Sequence, residues 1–94
     1  MKYIIDIDGT ICDTTDSDYE HSVPHRDRIR MINDLYDQGH HIVYWTARGG
    51  SSGVDWSELT QQQLTQWGCR YHQLCMNKPV YDVWVDDKAH WLFT

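Results

Sequence analysis

Four short apolar runs along the chain predict four β-strands. The runs are rich in aromatic and β-branched residues, and they lie at positions 3–7, 41–45, 71–75 and 81–85. Apolar runs of this length are typical of strands that are buried on both faces of a sheet. The pattern therefore predicts a sheet inside the domain.

Two amphipathic segments lie between these runs and predict helices. The first begins after Pro24, a residue that suits the first turn of a helix, and ends at Gly39. The second runs from Trp56 to Trp67 and ends at Gly68. Apolar residues recur at helical spacing in the two segments, at Ile29, Ile32, Leu35, Tyr36, Leu59 and Leu64.

The order of the elements predicts one α/β domain over residues 1–94. Strand, helix, strand, helix, strand, strand is typical of a mainly parallel sheet with helices against its faces. We expect four or five strands in a Rossmann-like, three-layer α/β/α arrangement, with a last short helix over 88–93. Right-handed crossovers bring the carboxyl ends of parallel strands to one edge of the sheet, where open α/β sheets bind ligands.

Composition and charge narrow the class of protein. The chain has 94 residues with five Trp and six Tyr, which is enough for a core of its own. The net charge of -6 disfavours a broad nucleic-acid surface, although it allows a grip on one terminal phosphate. The three cysteines form no Cys-x-x-Cys pair, and no apolar run is long enough for a membrane span or a secretory signal. We therefore expect a cytoplasmic protein with reduced thiols and no membrane partner.

Polar residues gather at the carboxyl ends of the predicted strands. Asp6 and Asp8 follow the first strand two positions apart, so their side chains share one side, and Gly9 then turns the chain. Two carboxylates this close repel each other unless a proton or a cation lies between them. Later strand ends add Thr46, Lys78, Asp86 and Asp87. Carboxylates suit Mg²⁺, whereas a lysine and a hydroxyl suit phosphate oxygens.

These residues, in this order, resemble the four motifs of the haloacid dehalogenase superfamily, in its phosphatase branch. The segment 6–10, Asp-Ile-Asp-Gly-Thr, is similar to the first motif. Thr46 matches the second motif, Lys78 the third, and the pair 86–87 the fourth. The resemblance covers nearly the whole chain. It implies a HAD-like fold without a cap domain, because the predicted loops are too short to hold one.

The resemblance also implies a reaction, which is Mg²⁺-dependent hydrolysis of a phosphomonoester through an aspartyl-phosphate. Asp6 would be the nucleophile, and Asp8 the general acid and then the general base. The metal ligands would be Asp6, Asp8 through its backbone carbonyl, and Asp86. Asp87 would complete or orient this metal shell.

The segment 46–48, Thr-Ala-Arg, and Lys78 are the predicted ligands of the substrate phosphate. Thr46 and Lys78 are assigned this role by the resemblance. Arg48 is open to two interpretations, because it could reach a substrate phosphate or form an ion pair at the surface. Ala47 lies between Thr46 and Arg48 and is predicted to bind the phosphate with them.

Three hypotheses for function remain open at this point. The first is a phosphatase that acts on a small phosphorylated metabolite, such as a sugar phosphate. The second is a polynucleotide 3′-phosphatase, since the Thr-Ala-Arg turn and the Asp-Asp pair look like the phosphatase domain of polynucleotide kinases. The third is a phosphate-binding signalling module similar to a response-regulator receiver, although the acid pair after Lys78 argues against the receiver order.

The absence of an inserted cap predicts an open site. We expect that either the substrate itself shuts out water or a second subunit covers the site. Exposed aromatic residues favour a homo-oligomer, among them Tyr71, Trp84, Trp91 and Phe93.

Overall fold

All the strands and helices lie within residues 2–75 of the part of the chain that the structure describes. The computed structural model describes residues 1–93. In chain order, the elements are β1 (Lys2–Ile5), β2 (Cys12–Asp13), β3 (Val23–Pro24), α1 (Arg26–Asp37), β4 (His41–Trp45), α2 (Ser57–Gln66) and β5 (Gln73–Cys75). A 3-10 helical turn at Tyr19–His21 lies between β2 and β3.

The main sheet is parallel and three-stranded, with the order β1-β4-β5. In its register, Ile5 lies beside Tyr44, and Tyr44 beside Leu74. Strands β2 and β3 form a separate antiparallel pair within the loop that follows β1. Because the three strands of the main sheet are parallel, their carboxyl ends meet at one edge.

Both α-helices pack on the same face of the main sheet. Side chains alternate between the two faces of a strand, so Ile5, Ile42 and Tyr44 lie on one face. These side chains form one buried cluster with residues of both helices, including Ile29, Ile32 and Leu64. On the other face, Ile4 is 60% exposed. The observed arrangement is therefore an α/β fold with its helices on one side.

Both helices end where the sequence predicts. Their last residues are followed by Gly39 and Gly68, which adopt φ values of 94° and 73°. This left-handed conformation suits glycine and stops a helix. The first helix begins at Arg26, two residues later than Pro24, because Pro24 pairs with Cys12 in the small antiparallel sheet.

The predicted fourth strand over 81–85 is not formed. Within residues 1–93, these positions carry no regular structure, and β1 pairs with β4 alone in the main sheet. Residues 88–93 form no helix. Four or five strands and a third layer are therefore not confirmed, and the C-terminal segment leaves several apolar side chains exposed, namely Val80, Tyr81, Val83, Trp84, Val85 and Trp91.

The three cysteines are free thiols, as expected for a reduced protein. Burial raises the pKa of both Cys12 and Cys69 to about 11, so neither is an activated nucleophile. Among the described residues, no helix has the length and apolar character required to cross a bilayer.

Candidate functional site

A tight turn after β1 presents Asp6 and Asp8 on the same side of the chain. Ile7, between them, is fully buried and anchors the turn in the core. The backbone N–H groups of Thr10 and Ile11 both donate to the carbonyl of Ile7, at 3.0 and 2.9 Å. Gly9 has a φ of 84°, which a side chain would disfavour. The sequence therefore fixes both carboxylates beside the carboxyl ends of the parallel strands.

Asp6 is held between a hydroxyl and an ammonium group. Thr10 Oγ1 donates to Asp6 Oδ2 at 3.0 Å, and Lys78 Nζ donates to Asp6 Oδ1 at 3.3 Å. The Asp6 side chain is 34% exposed and that of Lys78 13% exposed. The Asp6 carboxylate is thus oriented by two donors and still reaches solvent.

Thr46 and Lys78 are neighbours although they lie far apart in the sequence. Thr46 follows β4, and its backbone N–H donates to the carbonyl of Cys75 at the end of β5. The backbone N–H of Lys78 in turn donates to the Thr46 carbonyl at 3.0 Å. The Thr46 hydroxyl accepts the N–H of Arg48 at 3.2 Å. Three predicted site residues, Asp6, Thr46 and Lys78, therefore meet at this edge.

Asp8 forms a bidentate ion pair with Arg48. Arg48 Nε donates to Asp8 Oδ2, and Arg48 Nη2 donates to Asp8 Oδ1, both at 2.9 Å. Thr14 Oγ1 also donates to Asp8 Oδ1. The side chain of Arg48 is fully buried, whereas that of Asp8 is 26% exposed. Arg48 is therefore not a surface ion-pair partner, which was one of its two predicted roles.

The remaining donors of Arg48 are directed at α2 and at the loop after β2. Its Nη1 donates to Gln63 Oε1 at 2.6 Å and to Thr60 Oγ1 at 3.2 Å. Its Nη2 also reaches the Ser22 hydroxyl at 3.4 Å. The guanidinium lies over the ring of Tyr19, 4.8 Å from the centroid. A guanidinium has five N–H groups, and these three hydrogen bonds together with the two to Asp8 account for all of them.

The surroundings of Asp8 favour its ionised form. Burial acts to raise the pKa of Asp8, but hydrogen bonds from Arg48 and Thr14 and the charge of Arg48 outweigh it. The net result is a pKa below the ordinary value. Asp8 is therefore a carboxylate at neutral pH in this arrangement.

A cleft of about 580 Å³ opens over these residues. Asp6, Asp8, Thr46, Ala47 and Arg48 are among the residues that line it. Most of the other lining residues carry a hydroxyl group or an aromatic ring. They are Thr14, Ser17, Tyr19, Gly49, Ser51, Ser52, Val54, Trp56 and Val80. Tyr19 and Trp56 pack edge to face, with centroids 5.2 Å apart.

Gly49 is the residue that lets the loop over 49–54 close against the cleft. It has a φ of 82°, and a Cβ at this position would lie 2.0 Å from the Val54 carbonyl oxygen. We expect Gly49→Ala to lower the free energy of unfolding by about 2–4 kcal/mol, because the backbone must move. Urea denaturation monitored by tryptophan fluorescence measures this change.

Gly53→Ala is the matched control for that substitution. Gly53 also has a positive φ, of 75°, but nothing lies within 4 Å of its hypothetical Cβ. Only the conformational cost of about 1–2 kcal/mol remains there. Equal losses in the two variants would contradict the importance of the contact between Gly49 and Val54.

Asp86 and Asp87 lie in the exposed C-terminal segment. Asp86 Oδ1 accepts the backbone N–H of Lys88 at 3.0 Å, and Asp86 Oδ2 accepts the indole N–H of Trp84 at 3.4 Å. These bonds, the Lys88 bond above all, hold the pKa of Asp86 below its ordinary value. The hydrogen bonds of Asp86 are thus local, and none of them joins it to Asp6 or Asp8.

The donor chemistry of the turn fits Mg²⁺. Asp6 offers hard carboxylate oxygens and Asp8 a backbone carbonyl, and Mg²⁺ in proteins commonly takes one or two carboxylates and keeps several waters. Among residues 1–93, no group of three or more His, Cys, Asp or Glu side chains is arranged to hold a metal ion. A cation at this edge would therefore rest on the Asp6 carboxylate, the backbone carbonyl of Asp8 and water.

Several residues of the site escape prediction from sequence. Thr14 and Tyr19 belong to a polar loop, where hydroxyls and aromatics carry no distinctive spacing. Thr60 and Gln63 lie on the buried side of α2, where a polar residue would signal a partner. The glutamine at a core-facing position of α2, Gln63, is the feature of the sequence that could have indicated a buried polar partner.

Comparison with known proteins gives a structural neighbour. A crystal structure of a protein from Vibrio cholerae is similar, with a TM-score of 0.83 and 26% identity over 95% of this chain and 81% of the other. No family model matches the chain. No curated protein matches it either. The likeness extends over almost the whole chain and shows a shared architecture.

Proposed function

We propose that this protein is a phosphomonoester hydrolase of the haloacid dehalogenase type that works through an aspartyl-phosphate on Asp6. One observation carries the proposal. Asp6, Thr46 and Lys78 come from three separate parts of the chain. Asp6 and Thr46 line one solvent-open cleft, and the Lys78 ammonium lies beside it, 3.3 Å from Asp6 Oδ1. A carboxylate beside an ammonium and a hydroxyl is the chemistry that phosphoryl transfer requires.

The first chemical step uses Asp6. One of its oxygens attacks phosphorus, so that a bond forms between Asp6 and phosphorus while the bond to the leaving oxygen breaks. Lys78 would stabilise charge on the phosphoryl oxygens, and the Thr46 hydroxyl, which already accepts from Arg48, can donate its proton to them. Lys78 would leave its contact with Asp6 to do so.

The second step uses Asp8. A water molecule attacks the aspartyl-phosphate, Asp8 takes a proton from it, and the bond between Asp6 and phosphorus breaks. The ionised form of Asp8, which Arg48 favours, is the form required for this step. In the first step, Asp8 would give a proton to the leaving oxygen only in its protonated form, which is the form that Arg48 disfavours.

Mg²⁺ bound at Asp6 and Asp8 would neutralise charge on the phosphoryl group. In this proposal, the second carboxylate ligand is Asp86. It would join the site if the segment 81–85 paired with the open edge of β1 as a fourth parallel strand and so completed a HAD-like sheet. Asp87 would then orient the shell.

A small phosphorylated metabolite suits the cleft best. Its walls present Ser17, Ser51 and Ser52 with the Tyr19–Trp56 pair, and hydroxyls beside aromatic faces are suited to a polyhydroxylated molecule such as a sugar phosphate. The overall charge of -6 is unfavourable for a polynucleotide. A polynucleotide 3′-phosphatase is therefore the weaker candidate.

A phosphate-release screen tests the proposal. The substrates are sugar phosphates, nucleoside monophosphates and 3′-phosphorylated oligonucleotides, each with and without Mg²⁺. We expect Mg²⁺-dependent release from sugar phosphates above all. Release from none of these substrates would contradict the proposal and would favour a phosphate-binding module.

A further inference from the structure

We propose that Arg48 is a positioning residue that fixes Asp8 for proton transfer, and that it does not bind the phosphate of the substrate. The inference rests on the proposed function, because Asp8 needs a fixed position only if it moves a proton. It assigns to the arginine of the Thr-Ala-Arg turn a role different from that of Thr46 and Lys78.

The geometry of the guanidinium carries the inference. Nε and Nη2 of Arg48 face the two oxygens of Asp8 at 2.9 Å, which is the fork geometry of a strong bidentate pair. Gln63, Thr60 and Ser22 take the other N–H groups. No N–H of the guanidinium is left for a substrate oxygen.

Burial supports the same conclusion. The Arg48 side chain is fully buried, and the ring of Tyr19 lies over its guanidinium. To contact a phosphate, Arg48 would have to release Asp8 or the acceptors on α2, each at the cost of an unpaired buried group. Lys78, in contrast, has a single acceptor, Asp6, among the contacts of its ammonium.

The two side chains on α2 that accept hydrogen bonds from Arg48 are themselves held by hydrogen bonds to the backbone. Thr60 Oγ1 donates to the Trp56 carbonyl at 2.7 Å, and Gln63 Nε2 donates to the Tyr19 carbonyl. Arg48 therefore joins Asp8 to α2 and to the loop that carries Tyr19. Such a support shell sets the position of a reacting group within the small tolerance that proton transfer requires.

The test compares Arg48→Lys and Arg48→Gln with Lys78→Gln. We measure kcat, KM and competitive inhibition by inorganic phosphate, using the best substrate of the screen. For Arg48→Lys we expect kcat to fall at least about tenfold while the inhibition constant of phosphate changes by less than about twofold. Arg48→Gln should lose more activity than Arg48→Lys. For Lys78→Gln we expect the inhibition constant of phosphate to rise at least about tenfold.

A second readout separates positioning from a purely structural role. With p-nitrophenyl phosphate, whose leaving group needs no proton from Asp8, misplacement of Asp8 slows mainly the hydrolysis of the aspartyl-phosphate, so phosphorylated enzyme accumulates at steady state. Intact-mass measurement after acid quenching should show more phosphoenzyme in Arg48→Lys than in the wild type. A variant that was merely unstable would not accumulate it.

Thr60→Val is included because the Arg48 variants could fail to fold. It removes one acceptor of Arg48 with little change in shape, and we expect kcat to fall a few fold with unchanged phosphate inhibition. Suppose that the wild type is active. If the Arg48 or Thr60 variants then show weakened inhibition by phosphate, or if they accumulate no phosphoenzyme, the inference is overturned and the proposed function stands. If the wild type hydrolyses no ester, the proposed function fails and the inference fails with it.

Discussion

Asp6→Asn is expected to lower turnover of a phosphate ester at least about a thousandfold while leaving the fold intact. The amide occupies nearly the same volume as the carboxylate, but it cannot attack phosphorus. The side chain is 34% exposed and its ion partner is Lys78, so the stability change should stay within about 1 kcal/mol. Initial rates and urea unfolding of the same preparation give both quantities.

One result of the rate measurement would contradict the assignment of Asp6 as the nucleophile. A folded Asp6→Asn protein with the activity of the wild type would exclude Asp6 as the nucleophile. Thr10→Val provides a matched control, because it removes the hydroxyl that donates to Asp6 at 3.0 Å and keeps the carboxylate. We expect this control to retain measurable turnover.

Asp8→Asn is expected to destabilise the protein far more than Asp6→Asn, although the chemical change is the same. Asp8 is the charge partner of the fully buried Arg48. Removal of one member of a buried pair leaves an uncompensated charge, which costs about 3–5 kcal/mol. Because Asp8 is itself 26% exposed, we expect a loss near the lower end, about 3 kcal/mol, in urea unfolding at neutral pH.

The pH dependence of this difference follows from the sign of the pKa shift. The pKa of Asp8 is lower in the folded state than in the unfolded state. The ionised Asp8 therefore contributes fully to the free energy of unfolding above its unfolded-state pKa, and this contribution is lost as the pH falls through its folded-state pKa. The gap between wild type and Asp8→Asn should therefore narrow below about pH 4. Equal stability of Asp6→Asn and Asp8→Asn at neutral pH would contradict the described ion pair.

Periodicity and strand-end arguments predict the convergence of Asp6, Thr46 and Lys78. Parallel strands joined by right-handed crossovers place their carboxyl ends together whatever the details of packing. The two amphipathic helices and their ends at Gly39 and Gly68 are also predictable from sequence, because a glycine in the left-handed conformation ends a helix through local backbone geometry. These features depend on short-range chemistry and on topology.

The surroundings of Arg48 could not be predicted in this way. Its contacts with Gln63 and Tyr19 depend on how α2 and the loop after β2 are placed relative to each other. The apolar run at 81–85 predicts a strand that the structure does not contain. The reason is related, because β-propensity does not determine whether a segment pairs with a neighbouring strand. In the structure, Trp84 instead packs edge to face with Trp45, with centroids 6.0 Å apart.

Direct trapping of the phosphoryl group is the sharpest test of the proposed chemistry. Wild type and Asp8→Asn are mixed with Mg²⁺ and p-nitrophenyl phosphate, whose leaving group needs no proton from Asp8. The samples are then quenched in acid, digested and mapped by mass spectrometry. The proposed chemistry predicts a hydroxylamine-sensitive phosphoryl group on Asp6, more abundant in Asp8→Asn. A phosphoryl group on another residue, or ester hydrolysis by an Asp6→Asn protein at the wild-type rate, would contradict it.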